Sequence, residues 1–240
     1  MRKILISTVH HPNIMNSELI DVINHLKKYF DNIYLSVSIV TSQNIRDRFK
    51  ENNINFITIP AQGAADARRK VLTFALTHEK DDCLYLYCDF DKIITAILNT
   101  RDEFVTFIDN LEIENGYQII GRDWATFSTY PDTWTETEQI TNKVAADILK
   151  ISNLDILAGC CAFNSKIGKT IIQNSKEILT DVEWPLICNQ QNIELNYVSV
   201  SFLIFEYKYN QGRNDYNWQG YIPRLKLALQ ALRIFKKYDF

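Results

Sequence analysis

The sequence predicts an α/β fold with a largely parallel sheet flanked by helices. Short runs rich in β-branched and aromatic residues alternate with segments of helical periodicity through the first 90 residues. The chain has 240 residues, 46% of them hydrophobic, which is enough to bury the core of one domain. No internal repeat, low-complexity tract or Gly/Ser linker divides the chain, so we predict a single domain over residues 1–240.

The first half of the chain contains four predicted strands separated by three predicted helices. Each strand is a short apolar or aromatic run, and each helix places its apolar residues three and four apart. The predicted strands are residues 3–9, 33–40, 54–59 and 83–88, and the predicted helices are 17–29, 43–52 and 63–76. This alternation is typical of β-α-β units, which pair their strands in parallel.

The second half continues with helices and strands of the same kinds. The predicted helices are residues 103–111, 135–151 and 166–179, and the predicted strands are 117–121, 156–163 and 195–205. A loop rich in aromatic and polar residues, RDWATFSTYPDTW, follows the strand at 117–121, and an acidic turn, TDVEWP, follows the third helix.

Charge and composition exclude several classes of function. The formal net charge of −3, with both signs spread along the chain, provides no basic surface to hold a nucleic acid backbone. No stretch approaches the ~20 apolar residues of a membrane-spanning helix, and the apolar run near the N-terminus is shorter than that of a secretory signal. Five cysteines without a C-x-x-C pair indicate reduced, mostly buried thiols and a cytoplasmic location.

Two aspartates follow the strongest strand signal in the sequence. In LYLYCDFDKI, residues 84–93, an apolar run ends in Asp89 and Asp91. Residues two apart in a strand point to the same side, and the carboxyl ends of parallel strands face the ligand crevice of α/β folds. Both carboxylates are therefore candidate ligands of Mg²⁺ or Mn²⁺ shared with a diphosphate. The alternative is that Asp89 caps a helix that begins near Lys92.

Three segments together resemble the nucleotide-sugar glycosyltransferases of the GT-A fold, especially the large inverting class with synthase-like members. They are GAADAR at residues 63–68, CDFD at 88–91 and TDVEWPL at 180–186. In addition, IGRDWATFSTYP and LAGCCAFNS look like a bacterial subgroup of predicted glycosyltransferases. The resemblance covers the chain from its first strand to about Phe205 and implies a Rossmann-like, mixed and mostly parallel sheet flanked by helices.

The resemblance implies a role for each matched residue. Arg68 matches the arginine that lies near the nucleotide diphosphate, whereas Arg69 stands where the family usually has Asn. Asp91 would hold the Mn²⁺ or Mg²⁺ ion, and Asp89 would bind the metal or a ribose hydroxyl. The implied donor is a nucleotide-diphosphate sugar of UDP or GDP type, and the acceptor is an unidentified hydroxyl group.

The acidic motif would supply the base of an inverting transfer. An acceptor hydroxyl loses its proton as it attacks the sugar, and a carboxylate on the opposite face of the sugar takes it. Asp181 and Glu183 are the two candidates, and we favour Asp181. Arg122 and Trp124, in the polar aromatic loop, complete the candidate donor-binding set with Arg68 and Asp89.

Other aromatic and histidine side chains leave two interpretations open. Trp124 and Trp184 flank polar loops and either stack on a sugar or base or belong to the core. His10 and His11 follow the first strand, where a nucleotide base would lie, yet ordinary loop residues occur there as well.

Three other functions are compatible with parts of the sequence. A haloacid-dehalogenase-type phosphatase would use DFD for nucleophilic catalysis, with Lys166 and the acidic pair Asp181 and Glu183 completing its site. A nucleotidyltransferase would carry a Gly-rich loop after the first strand, where this chain has STVHHPN. A non-catalytic nucleotide-sugar-binding protein would keep the fold without turnover.

The C-terminal segment predicts a basic amphipathic helix at about residues 222–238. Its apolar stripe comprises Leu225, Ala228, Leu229, Leu232 and Phe235. Its basic face comprises Lys226, Arg233 and Lys237. Such a helix either lies on an anionic membrane surface, which would make the enzyme membrane-peripheral, or packs on its own domain or a second subunit.

Overall fold

The computed structural model describes residues 1–209 and 217–238. Seven strands lie within the described residues: β1 (Arg2–Val9), β2 (Asn32–Ser38), β3 (Asn55–Ile59), β4 (Cys83–Cys88), β5 (Tyr117–Arg122), β6 (Cys160–Asn164) and β7 (Leu195–Val200). They form one sheet in the order β3-β2-β1-β4-β6-β5-β7. Strand β6 runs antiparallel to β4 and β5, and every other pair is parallel. The predicted mixed, mostly parallel sheet is confirmed.

Helices connect the strands and cover the sheet on both faces. They are α1 (Asn16–Tyr29), α2 (Gln43–Glu51), α3 (Ala64–His78), α4 (Phe90–Asn99), α5 (Arg101–Asp109), α6 (Trp124–Phe127), α7 (Asp132–Leu149), α8 (Ser165–Asn174), α9 (Thr180–Gln190) and α10 (Trp218–Lys237). The core of one face contains residues of α1, α2, α4 and α5, and the core of the other contains residues of α3, α7, α8, α9 and α10.

Strand β4 shows how the sheet divides these two cores. Leu84 and Leu86 pack into the first core, whereas Tyr85 and Tyr87 pack into the second. This alternation follows from the two-residue period of a strand, and both sets are apolar or aromatic because a central strand is buried on both faces. Tyr87 consequently lies on the face covered by α3, where it can contact that helix.

The predicted acidic turn is wrong, because those residues begin helix α9. Asp181 and Glu183 lie in its first turn, where the helix dipole favours negative charge. The prolyl nitrogen of Pro185 has no N–H, so this residue gives up one helical hydrogen bond without ending the helix. The predicted strands at 156–163 and 195–205 are also shorter, at Cys160–Asn164 and Leu195–Val200.

The C-terminal helix α10 packs against α7 and α9. Ala231, Ile234 and Phe235 are buried in this contact. Leu225 and Leu229, two members of the predicted apolar stripe, are instead exposed. None of the helices in the described part of the chain is long and apolar enough to cross a bilayer.

The five cysteines are buried and form no disulfide. Burial raises the pKa of the Cys188 thiol to about 12, and it raises the pKa of Cys160 and Cys161 as well. A thiol held in its neutral form is a poor nucleophile, so these cysteines have no sign of catalytic activation.

Candidate functional site

A cavity of about 700 Å³ opens at the carboxyl edge of the parallel half of the sheet. Thr8, Ser38 and Ile59, at the ends of β1, β2 and β3, contribute to its wall, together with Asp89, the residue after β4. Open α/β sheets bind their ligands at this edge, because the strand ends and the helix N-termini converge there. The cavity is therefore the first candidate for a ligand site.

Arg68 is the charged centre of this region. It is buried on α3, and one of its terminal nitrogens lies 3.0 Å from each carboxylate oxygen of Asp89. Its other terminal nitrogen lies 2.5 Å from Oδ2 of Asp181, and its Nε donates to the Tyr87 hydroxyl at 2.7 Å. One guanidinium thus joins the three motifs, because its fork of N–H donors serves several acceptors at once.

Asp89 occupies the N-cap position of α4, but its side chain makes no capping hydrogen bond. It accepts hydrogen bonds from Arg68, Lys92 and the Tyr87 hydroxyl instead. Burial alone would raise the pKa of Asp89, but the positive charges of Arg68 and Lys92 outweigh it and hold the pKa well below its ordinary value. Helix capping therefore does not account for this aspartate.

The sequence predicts that Asp89 and Asp91 lie on the same face of a strand, and this prediction is wrong. Strand β4 ends at Cys88 and α4 begins at Phe90, so neither aspartate belongs to the strand. Asp91 lies in the first turn of α4, half-buried, and both carboxylates line the same cavity. The helix start, rather than strand alternation, brings the two motif aspartates to one site.

Lys92 is the second cation in the cavity wall. Its Nζ donates to the carbonyl oxygen of Ala158 at 2.5 Å and lies 3.2 Å from Oδ2 of Asp89. Burial disfavours the charged form, but the carboxylate of Asp89 outweighs this effect and raises the pKa of Lys92 above its ordinary value. The ammonium is therefore charged at neutral pH.

Gly159 makes the close approach of this ion pair possible. Its φ of +64° lies in the left-handed region, and a Cβ on it would lie 2.6 Å from Nζ of Lys92 and also too close to the Asp89 carboxylate. Any other residue would displace one of the two charged side chains.

Helix α3 adds a backbone contribution to the cavity. It begins after Gly63, whose φ of +99° is accessible to glycine alone without strain. Gly63, Ala64 and Ala67 line the cavity beside Arg68, so the N-terminus of the helix faces it. Helix N-termini attract anions, because their first N–H groups have no partner within the helix.

Asp181 lies behind Arg68 rather than in the wall of the main cavity. It adjoins a separate void of only about 10 Å³, together with Tyr117, Cys161 and Trp184. Trp184 is a core residue, in edge contact with the ring of Tyr87, and Tyr117 and Cys161 are buried as well. The structure thus brings Asp181 to the cation that it shares with Asp89, and it leaves no room beside the carboxylate for a substrate.

Glu183 is fully buried and does not line the cavity. Its carboxylate accepts hydrogen bonds from Oγ of Ser175 at 2.5 Å and from the backbone N–H groups of Lys176 and Glu177 at 2.6 and 2.7 Å. The carboxylate of Glu183, which is a candidate base on the sequence evidence, is thus already engaged by three hydrogen-bond donors. Its observed contacts hold the segment between α8 and α9 in place.

Arg122 and Trp124 do not line the cavity. Arg122 is buried in ion pairs with Asp155 and Glu138, at 2.7 and 2.6 Å. Trp124 is 70% exposed and stacks on Phe127 at the surface. The structure therefore does not bring these two expected donor-binding residues together with Arg68 and Asp89.

Several residues in or directly behind the cavity wall are not among the site residues predicted from the sequence. Lys92 directly follows the D-x-D motif, and Tyr87 precedes Asp89 by two positions, so both carried a positional signal. Tyr130 and Trp134 also line the cavity, together with the two histidines whose role the sequence left open, His10 and His11. Sequence spacing alone does not place Tyr130 and Trp134 beside the motif, because only the folded chain brings the loop after β5 to this edge.

The carboxylates of the cavity suit a magnesium-type ion that a ligand completes. Within the described residues, no group of three or more His, Cys, Asp or Glu side chains forms a ready metal site. Mg²⁺ is commonly held by one or two carboxylates, substrate phosphates and water, so a full protein cage is not required. Asp91 fits this pattern as a ligand, and Asp89, whose oxygens already accept hydrogen bonds from Arg68, Lys92 and Tyr87, would contact the water shell of the ion. Such an ion would supply positive charge beside a diphosphate.

Comparison with known proteins gives a result for structure but none for sequence. No protein-family model and no curated protein matches the sequence. Among solved structures, glucosyl-3-phosphoglycerate synthase from Mycobacterium tuberculosis in complex with UDP matches with a TM-score of 0.58 at 10% identity, over 97% of this chain and 79% of that chain.

Two other structures of the same synthase agree with this match. The complex with Mn²⁺, UDP and phosphoglyceric acid has a TM-score of 0.59 at 10% identity, over 99% of this chain and 78% of that chain. A further structure of the synthase has a TM-score of 0.56 at 11% identity, covering 96% and 79% of the two chains. The chain therefore has the GT-A fold that the sequence predicts.

Proposed function

We propose that this protein is a metal-dependent glycosyltransferase that moves a sugar from a nucleotide-diphosphate donor to a hydroxyl acceptor. The observation that carries the proposal is the set of anion-binding groups at one cavity: Arg68, Lys92 and the N-terminus of α3. A diphosphate leaving group requires such groups, because they stabilise the negative charge that develops as it departs.

The balance of charge supports the need for a divalent ion. Arg68 and Lys92 contribute two positive charges, and Asp89, Asp91 and Asp181 contribute three negative ones, so 2 − 3 leaves the site at −1. A nucleotide-sugar diphosphate adds about two further negative charges. Mn²⁺ or Mg²⁺ would bring the assembled site close to neutrality.

The similar synthase structures support the same chemistry. They hold UDP with Mn²⁺ or Mg²⁺ within the fold that this chain shares. We propose a UDP-type donor for this protein on that basis, with the GDP type as the alternative that the sequence resemblance implies. The acceptor of the synthase is a property of that protein, and the cavity described above does not identify the acceptor here.

Isothermal titration of the protein with UDP, GDP, CDP and dTDP, each with and without Mn²⁺, tests the proposal. We expect one nucleotide diphosphate to bind in a metal-dependent way, because the site is short of positive charge until the ion arrives. Absence of binding by all four would overturn the proposed function.

Asp181 is our proposed base: Arg68 turns from its carboxylate toward the donor and so opens it to the acceptor, because the void of about 10 Å³ beside Asp181 is too small for a substrate while the two are paired. Asp181→Asn should then slow turnover by about 100-fold or more, because the amide cannot take a proton. Nucleotide affinity should change by less than about threefold. Release of the nucleotide diphosphate from the donor measures the first effect, and titration measures the second.

Glu183→Gln is the matched control for Asp181→Asn. It should lower the melting temperature, since it disturbs three hydrogen bonds of a buried carboxylate, and leave turnover of the folded protein unchanged. Loss of nucleotide affinity in Asp181→Asn with normal turnover would instead mean that Asp181 only holds Arg68. Normal turnover of Asp181→Asn beside an inactive, folded Glu183→Gln would reverse our choice of base.

The phosphatase alternative finds less support than the transferase. Its nucleophile would be Asp89, whose oxygens already accept hydrogen bonds from Arg68, Lys92 and Tyr87. Lys166, its proposed lysine, is exposed and does not line the cavity. Hydrolysis of a generic phosphomonoester with Mg²⁺ would favour the phosphatase.

A non-catalytic binding protein is distinguished by turnover. It would bind the nucleotide diphosphate but would not release a nucleotide diphosphate from a nucleotide-sugar donor.

We also propose that the protein is cytoplasmic and contacts the membrane periphery through α10. Four large apolar side chains of this helix are exposed along one stripe: Trp218, Ile222, Leu225 and Leu229. The sequence of the helix contains no acidic residue, and its exposed basic residues are Lys226, Arg233, Lys236 and Lys237. An apolar stripe flanked by cations suits an anionic lipid surface.

Sedimentation with vesicles checks this contact. Vesicles of phosphatidylglycerol and phosphatidylcholine should sediment the protein at low salt, and vesicles of phosphatidylcholine alone should not. The double variant Leu225→Ser/Leu229→Ser should lose binding, since it removes the centre of the stripe. Ile140→Ser, at an equally exposed apolar residue of α7, is the control and should bind normally. The proposal would be contradicted if Leu225→Ser/Leu229→Ser and Ile140→Ser sedimented equally with the vesicles. It would also be contradicted if the protein formed a dimer and did not bind the vesicles.

A further inference from the structure

Lys92 is a mostly buried lysine in the wall of the candidate donor cavity. Its side chain is only 11% exposed, although lysine is among the residues least often buried. Its stem belongs to α4, directly after the D-x-D motif, so the ammonium lies between the motif and the β6 side of the site. A charge in this position requires a partner of opposite charge or a ligand.

The protein fixes the ammonium and leaves it one donor. Two of its N–H groups have partners, the carbonyl oxygen of Ala158 at 2.5 Å and Oδ2 of Asp89 at 3.2 Å. An ammonium has three N–H donors, so one remains for a group in the cavity. Gly159 packs against Nζ closely enough to exclude a Cβ, which limits the positions open to the ammonium.

Asp89 has hydrogen-bond donors other than Lys92. The guanidinium of Arg68 contacts both of its carboxylate oxygens at 3.0 Å, and the Tyr87 hydroxyl donates to it as well. Lys92 is therefore not needed to supply the donors that this carboxylate requires. Its ammonium instead belongs to the wall of the cavity where, on the proposed function, the diphosphate binds.

We propose that Lys92 is a diphosphate-binding residue that stabilises the leaving group, an inference that rests on the proposed function. In the transfer, the bond between the sugar carbon and the β-phosphate oxygen breaks, and its electron pair stays on that oxygen. The acceptor oxygen forms the new bond to the sugar, and its proton passes to a carboxylate base. Throughout, Lys92 keeps its protons and donates a hydrogen bond to the departing phosphate.

The competing explanation is that Lys92 only supports Asp89 and the turn at Ala158. Affinity for a nucleoside diphosphate relative to the monophosphate, with and without the metal ion, separates these roles. A residue that binds the terminal phosphate contributes to the affinity for the diphosphate both in Mn²⁺ and in EDTA, whereas a support of Asp89 acts through the metal ion and contributes in Mn²⁺ alone. The ratio of the two affinities in EDTA therefore reports contact with the phosphate and not an effect on the metal site.

Titration of the wild type and Lys92→Met with UDP and UMP, each in Mn²⁺ and in EDTA, makes this measurement. We expect the dissociation constant for UDP to rise by about tenfold or more in both conditions, the loss of one charge-assisted hydrogen bond. That for UMP should change by less than about threefold. Lys143→Met, which removes an exposed lysine of α7, is the control and should leave both constants unchanged. If the wild type prefers another base, the corresponding diphosphate and monophosphate replace UDP and UMP.

Each outcome of this experiment has one meaning. Equal weakening of UDP and UMP, or weakening of UDP in Mn²⁺ alone, would overturn the role of Lys92 and leave the proposed function intact. Failure of the wild type to bind any of the four nucleotide diphosphates would overturn both. If Lys92→Met does not fold, Lys92→Gln replaces it, because its shorter side chain removes the charge and keeps a polar amide N–H donor.

Discussion

Asp91→Asn should make nucleotide binding insensitive to Mn²⁺. The variant replaces a carboxylate of the cavity wall by a neutral amide of the same shape, which is a much weaker ligand for a hard divalent ion. We expect the affinity of the variant for the diphosphate with Mn²⁺ to equal that of the wild type in EDTA. Turnover should fall by about 100- to 1,000-fold, because charge stabilisation of the leaving group is lost.

Asp102→Asn is the control for this prediction. Asp102 is exposed in the first turn of α5, so its amide variant has the same change of net charge in a similar helical position. It should bind the nucleotide with the full effect of Mn²⁺. A normal metal effect in Asp91→Asn would show that other groups hold the ion and would remove Asp91 from the site.

Arg68→Met should lower the free energy of unfolding by about 3–5 kcal/mol. The substitution keeps an unbranched apolar side chain but leaves Asp89 and Asp181 as buried or half-buried carboxylates without their shared cation. It also removes the donors to Oη of Tyr87 and Oγ1 of Thr180. Chemical denaturation monitored by circular dichroism measures the loss, and nucleotide binding should disappear with it.

Two further variants test whether charge is the cause. Arg68→Met combined with Asp181→Asn should recover part of the lost stability, because Arg68→Met removes the cation paired with Asp181, whereas Asp89 keeps its ion pair with Lys92. Arg101→Met removes an arginine whose ion pair with Asp21 is exposed, and it should cost under about 1 kcal/mol. Equal losses in Arg68→Met and Arg101→Met would mean that the buried network contributes nothing beyond an ordinary surface pair.

The sequence predicted the sheet better than the connections at its edge. Strand β4 was clear because its residues are apolar or aromatic without interruption, as expected of a central strand. The start of α4 was placed too late, although Phe90, Ile93, Ile94 and Ile97 have helical spacing. The uninterrupted apolar strand that ends at Cys88 obscures this helical period, so strand alternation assigns Asp91 to the wrong element.

The part of the candidate site that is formed by residues of the recognised motifs was predictable from the sequence. Arg68 and Asp89 come from separate motifs and meet in an ion pair at 3.0 Å, as the resemblance implied that they would share one site. The position of Arg122 was not predictable, because its partners Glu138 and Asp155 lie 16 and 33 residues further along the chain. Sequence patterns indicate which face of a helix or strand is apolar. They do not indicate which side chains, distant in sequence, will neutralise a charge on that helix or strand.

The position of Arg68 between Asp89 and Asp181 has a consequence for engineering the protein. These carboxylates belong to the strand end before α4 and to the start of α9, on different elements of the sheet's edge. A redesign of donor choice that moves Arg68 would also release Asp181, and a redesign around Asp181 would alter the charge beside Asp89. Libraries that vary one side alone will therefore be dominated by inactive members, and productive changes of specificity will come from varying both sides together.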